Sequence, residues 1–205
     1  MAMFNRIELI HLQAGLAAAE REHLLRTLRE AAMQGTDCML QPTLPGVYNG
    51  GDYLWRQRGP QHPLCTAAAQ ALLSQPHRVA RVDSVAFRDG EEGGNWNGPG
   101  VYRALLLSVK SSAGADTLAR FEREVLAMPR YIPSIRAWRL SRVAEAAGAR
   151  TWTHVWEQRY DELAGLSGPY MLHPYHWAWV DRWFDPESPD WIVDTHLCHS
   201  FCRLG

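Results

Sequence analysis

The sequence predicts an α+β fold: two ferredoxin-like βαββαβ units packed sheet to sheet within one chain. Three observations lead there. Stretches of period-two and period-3.6 hydrophobicity follow one another in a set order, and that order runs twice. A polar, glycine-rich stretch at 88–100 (RDGEEGGNWNGPG) separates the two runs and reads as a linker. Short motifs recur in both: Arg6 with Arg103, Trp55-Arg-Gln-Arg58 with Trp156-Glu-Gln-Arg159, and Val82-Asp-Ser84 with Val193-Asp-Thr195.

In the first unit, residues 6–13 (RIELIHLQ) read as a strand and 18–33 as a helix, with Leu24, Leu25 and Leu28 on one face and Arg and Glu on the other. Strands follow at 38–41 and 51–58. A short helix of good helix formers covers 65–73, and a strand covers 79–87, where Val82 and Ser84 share one face and Asp83, Val85 and Phe87 the other. The plan restarts with a strand at 101–110, an amphipathic helix at 116–128 and strands at 135–142 and 151–160. An interrupted helix at 163–184 and a last strand at 191–201 complete it. The division is thus 1–95 and 96–205. A four-stranded sheet with both helices on one face leaves the other face bare, and two such sheets hide both bare faces by packing together.

The 205 residues suffice for two units of about 100 residues each. Apolar residues make up 46% and the formal charge is −1, which offers no attraction for nucleic acid or anionic membranes. Cys38, Cys65, Cys198 and Cys202 form no CxxC pair, residues 1–12 lack a signal-peptide pattern, and no apolar run reaches the roughly 18 residues of a membrane helix. A cytoplasmic protein with reduced thiols is the expectation. Seven of the nine tryptophans lie from Trp138 onward, so they either fill the core of the second unit or line an apolar pocket there.

The second unit carries four motifs. Met128-Pro-Arg-Tyr-Ile-Pro-Ser-Ile-Arg-Ala-Trp138, Trp152-Thr-His-Val155, Tyr170-Met-Leu-His-Pro-Tyr-His176 and Trp191-Ile-Val-Asp-Thr-His196 stand in this order. Together they resemble the stress-responsive dimeric α/β-barrel (Dabb) family over about residues 101–202. The first unit shares the plan without the motif, since His62-Pro63 follows Trp55 closely and lacks a second histidine; it looks like a degenerate, fused copy. The resemblance implies an intramolecular dimeric α/β barrel, a pseudo-dimer within one chain that would be open to further homo-oligomerisation.

In the second unit, Pro174 disfavours helical geometry at His173 and suits a first helical turn, so the helix breaks near Leu172 and restarts at Pro174. His176, Val180 and Trp183 then share one face, and Trp152, His154 and Trp156 share a strand face. His154 and His176 would meet in one cavity, with Trp152, Trp156, His173 and Trp177 as its substrate-binding walls. A family member, the plant polyketide cyclase of the olivetolic acid type, implies roles by motif: His176 as general base, Tyr170 holding a carbonyl or phenolate oxygen, and His154 lining the pocket. The same motif equally serves to set the helix break. The two function classes are therefore a protein binding a small apolar or aromatic molecule and a cofactor-independent cyclase or lyase. No cofactor is implied. His196, Cys198, His199 and Cys202 resemble metal ligands, but a strand advances about 3.3 Å per residue and spreads them out, so no metal is expected.

Overall fold

The computed structural model describes residues 3–32, 37–61 and 65–205; His62-Pro63 lies outside them. The first unit comprises β1 (Phe4–Leu12), α1 (Ala18–Glu30), β2 (Asp37–Pro42), β3 (Tyr53–Gly59), α2 (Ala67–Leu73) and β4 (Val79–Arg88). After β5 (Glu91–Gly94) come β6 (Gly100–Leu107), α3 (Ala115–Tyr131), β7 (Ala137–Ala147), β8 (His154–Tyr160), an interrupted helical segment over 163–183, and β9 (Cys198–Leu204).

The sheet order is β2-β3-β1-β4-β7-β8-β6-β9, and each unit contributes its strands as second, third, first, fourth. This is the antiparallel order of a split βαβ unit, so the chain consists of two ferredoxin-like units in one nearly closed barrel. At one seam β4 pairs with the end of β7, from Ser84 opposite Ala147 to Phe87 opposite Val143. At the other, the chain after β2 meets β9: Tyr48 and His199 exchange both backbone bonds (2.9 and 2.8 Å), and Leu44 N–H donates to the Phe201 carbonyl (2.9 Å). Pairing at both seams leaves few open edges.

The predicted burial of two bare faces is what the side chains show. Ile7, Leu9, Leu54, Val85 and Phe87 from the first sheet meet Tyr102, Ala104, Leu106, Val155 and Cys202 from the second inside the barrel. Alternate residues of the same strands face outward under helices. Ile10 and Trp55 pack against Leu24 and Leu28 of α1, and Leu105 and Trp156 against Phe121 and Val125 of α3.

Three expectations are corrected. The stretch at 88–100 is not a bare linker, because Glu91–Gly94 adds a strand beside Ala137–Leu140 of β7. Glycine permits this: Gly94 has φ +81°, and a Cβ there would collide with the Arg136 carbonyl. The last strand begins at Cys198 rather than at 191. Residues 191–197 commit their backbone elsewhere, Val193 N–H to Trp183 O (3.0 Å) and Asp194 N–H to Ser108 O (2.8 Å), while the Asp194 carboxylate takes the His196 N–H (2.7 Å) in an Asx-type turn. Val193-Asp-Thr195 is therefore not the counterpart of Val82-Asp-Ser84. The third-strand motif starts late as well, at His154 instead of 151, which matters for the site.

At one end of the barrel interior the units share a buried polar network. Glu157 accepts from Tyr102 Oη (2.8 Å) and Arg139 Nη1 (3.2 Å), and Arg56 of the first unit lies 3.7 Å from the same carboxylate. Arg139 also reaches Glu92 and the side-chain oxygen of Asn5 (3.4 Å). Burial, then the neighbouring Glu157, pushes the Tyr102 phenol well above its usual range, so it stays a donor. Arg139 and Glu157 are both about 1% exposed. Substituting one partner strands the other charge, so Arg139→Met is expected to lose about 3–5 kcal/mol in urea denaturation, and adding Glu157→Gln should return part of that loss.

Candidate functional site

The helical segment over 163–183 roofs the second sheet, and its geometry follows from two sequence features. His173 caps the restart: its ring Nδ1 accepts the Tyr175 N–H (3.1 Å), and its carbonyl takes the His176 N–H (2.9 Å) ahead of Pro174. Two π-helical turns, Leu166–Tyr170 and His176–Val180, flank this break. A π turn bonds residues five apart, here Asp181 N–H to the His176 carbonyl, and so sets the Asp181 carboxylate 3.4 Å from His176 Nδ1. That spacing permits an ion pair when the ring is protonated. The nitrogen itself makes no hydrogen bond to a described residue.

His176, Val180 and Trp183 are all buried on one face, as the spacing predicts. Beneath them is a cavity of about 210 Å³. Leu105, Leu107 and Trp156 of β6 and β8 form its floor, Val125 and Met128 of α3 one wall, and Val180 and Phe184 the roof. Its polar end gathers Arg103, His199, Tyr170, His176 and Asp181. The Tyr170 and His176 rings meet edge to face with centroids 4.6 Å apart. Arg103 lies under Tyr170, its guanidinium 4.9 Å from the ring centre, and donates from Nη1 to the Tyr170 hydroxyl oxygen (2.9 Å). A hydroxyl that accepts from arginine keeps its own proton free to donate. Arg103 also donates to Gln158 Oε1 and, from Nε, to His199 Nε2 (2.6 Å). Burial, then Arg103 and His176 nearby, pushes His199 down to about 2, so its ring is neutral and accepts.

The structure thus gathers Tyr170, Trp156 and His176 at one cavity and leaves the other sequence candidates outside it. His154 lies further along β8, with Nε2 3.1 Å from Glu122 and Nδ1 2.8 Å from Thr153 Oγ1; burial holds it neutral despite Glu122, and it does not line the cavity. Trp152 precedes the strand, so the period of two fails there. It packs inside the barrel and stacks on His196 at 6.1 Å. His173 is the helix cap, and Trp177 is 58% exposed on the outer surface. Trp183 turns into the core and donates to Glu124 (2.8 Å). Along β9, Cys198 and Cys202 face the barrel while His199 faces the helices, and His196 sits before the strand.

Arg103 and His199 line the candidate cavity and are not among the motif-derived candidates. Their signal was nevertheless present: Arg103 interrupts an apolar strand (VYRALLL) on the face that helices cover.

Compared with known proteins, residues 101–194 match the model of the family described as Stress responsive A/B Barrel Domain. No curated protein matches the chain. Among solved structures, an anthrone oxidase-like protein superposes with a TM-score of 0.67 at 9% identity, covering 100% of this chain and 91% of its own. A mutant chlorite dismutase from Candidatus Nitrospira defluvii gives 0.56 at 8% identity (98% and 91%). A major regulator of staphylococcal pathogenesis gives 0.53 at 6% (97% and 98%). These likenesses show the fold. Among the described residues, no helix is long and apolar enough to cross a membrane.

His199 supplies a test of this electrostatic arrangement. Its folded-state value lies below the ordinary one near 6.5, so the unfolded chain binds the proton more readily, and stability falls as pH drops below about 6.5. Melting temperature is expected to fall between pH 7 and pH 5, and His199→Gln, which keeps an acceptor for Arg103, should flatten that slope.

Proposed function

We propose that the chain, whose residues 101–194 match the model of the stress-responsive A/B barrel family, binds a small apolar or aromatic molecule in the cavity between the second sheet and its helical roof. One observation carries this reading: the cavity is lined by apolar side chains over most of its surface and by a few convergent polar groups at one end. Such a division suits a small ligand oriented by one polar group. At about 210 Å³ the space is below the roughly 300 Å³ of drug-sized sites, so a one-ring ligand is the fitting size. We further propose that residues 1–95 are a degenerate copy of the domain in 96–205. The shared strand order supports this, as does the Arg–Gln pair that recurs at equal register, Arg6 opposite Gln57 and Arg103 opposite Gln158.

A second reading has its own support. Tyr170, whose hydroxyl oxygen accepts from Arg103, has a hydroxyl proton to donate, and on the same wall His176 Nδ1 makes no hydrogen bond to a described residue. A substrate carbonyl held by Tyr170 would put an adjacent acidic C–H within the reach of His176. This is the arrangement of a cofactor-independent cyclase or lyase with His176 as general base and Asp181 steadying the imidazolium.

Filling the cavity separates binding from folding. Leu107→Trp is expected to keep a native circular-dichroism spectrum and to abolish the rise in melting temperature that one-ring aromatic compounds give the unaltered chain. A rise undiminished in the variant would place binding elsewhere. For the catalytic reading, His176→Gln should retain the fold and the ligand-induced rise while removing all turnover; turnover that survives it excludes His176 as the base.

A further inference from the structure

Arg103 is about 4% exposed and carries a charge that no described residue neutralises. Its partners are His199, Gln158 and the Tyr170 hydroxyl, all neutral acceptors, and among the described residues no carboxylate lies within ion-pair distance of it. A buried cation without a counter-charge costs several kcal/mol, and arginine cannot shed its proton to escape that cost.

The first unit provides an internal control. Arg6 occupies the position of Arg103, with Gln57 opposite it as Gln158 is opposite Arg103. Two residues on, the first unit has Glu8, and Arg6 Nε is 3.0 Å from its carboxylate. The corresponding residue of the second unit is Leu105, which lines the cavity. The strand opposite is alike in both, Glu8 facing Trp55 and Leu105 facing Trp156. One unit therefore neutralises its arginine from within, and the other replaces the acid with leucine and leaves a cavity beside it. Trp156, which lines the cavity, points the same way: its indole N–H is buried and has no acceptor among the described residues.

We infer that Arg103 is the anchor for an anionic ligand, and that the cavity takes a one-ring or similarly small apolar carboxylate. This rests on the small-molecule reading of the same cavity. The carboxylate oxygens would accept from the Arg103 guanidinium and from the Trp156 and Tyr170 protons, and the apolar body would lie against Leu107, Val125 and Phe184. Charge-assisted pairing of this type is the strong kind of hydrogen bond. One guanidinium answers one negative charge, which fits a carboxylate better than a phosphate dianion, and the apolar remainder of the cavity would go unfilled by an inorganic ion.

The test is titration calorimetry at pH 7 on the full chain, with benzoate, phenylacetate and cinnamate, their neutral amides, and inorganic phosphate. At least one acid is expected to bind ten-fold or more tightly than its own amide, and phosphate should not compete at equal concentration. Leu105→Glu gives Arg103 the partner that Arg6 already has, and it is expected to erase the preference for acid over amide while the fold remains native. Arg103→Gln should do the same. Equal binding of acid and amide, or a preference that survives in folded Leu105→Glu protein, overturns the anionic class and leaves the pocket standing. Phosphate competing as well as the acid also overturns it. Binding by none of the acids or amides overturns the pocket reading together with this one.

Discussion

The structure depends on the mutual burial of two sheet faces. Neither four-stranded sheet has helices for both of its sides, so each must find cover for the other, and within one chain each covers its neighbour. The apolar contacts of Ile7, Leu9 and Val85 with Tyr102, Leu106 and Val155 supply the non-directional part of that attraction. Direction comes from the polar end of the barrel, where Glu157 draws Tyr102, Arg139 and Arg56 to one point. A counterpart stands at the β4–β7 seam. Asp83 accepts the Ala149 N–H (2.7 Å) just past Gly148, whose φ of +116° and lack of a Cβ let the turn close over that carboxylate. Buried groups that must each find a partner leave few alternative registers for the two sheets.

Apolar side chains of both sheets meet inside the barrel, and the candidate cavity lies on the outside of the second sheet, under the helices. There the two units differ. In the first, α1 and α2 seal the outer face with Leu24, Leu28 and Ala69 over Trp55. In the second, the roof is broken at Leu172, its π turns widen the helix, and a cavity opens over Trp156. A helix widened by π turns packs less closely than a regular one, and such turns are common at functional sites. On the proposed reading one architecture carries a unit that stabilises and a unit that binds, in line with the general independence of fold and activity.

Much of this was readable in the sequence, for identifiable reasons. Pro174 marks the helix break through the backbone alone, and the spacing of His176, Val180 and Trp183 gives the buried face, so neither depends on distant partners. The recurrence of Arg-Gln across the first and third strands announces the duplicated plan. What failed were inferences needing the precise end of a strand. Alternation places Trp152 in the pocket, but alternation holds only inside the strand, and β8 starts at His154. His154 keeps the right face yet sits too far along it, paired with Glu122. Apolar Trp191, Ile192 and Val193 suggest a strand from 191, but they lie in a loop that buries Ile192 and Val193. Arg103, the cation at the cavity's polar end, is visible in the sequence only as a repeat marker, since the absence of an acid near it among the described residues is a property of three-dimensional packing.

The claim beneath all of this is that the two units share one barrel core and stand or fall as one body. Native-state hydrogen exchange on the backbone amides of β1 and β6, the central strands of the two units, tests it most directly. A shared core requires both sets to exchange through a single global opening, with equal free energies and an equal response to denaturant. If β1 opened at a clearly lower free energy while β6 stayed protected, the two sheets would not be holding each other, and the account would be wrong.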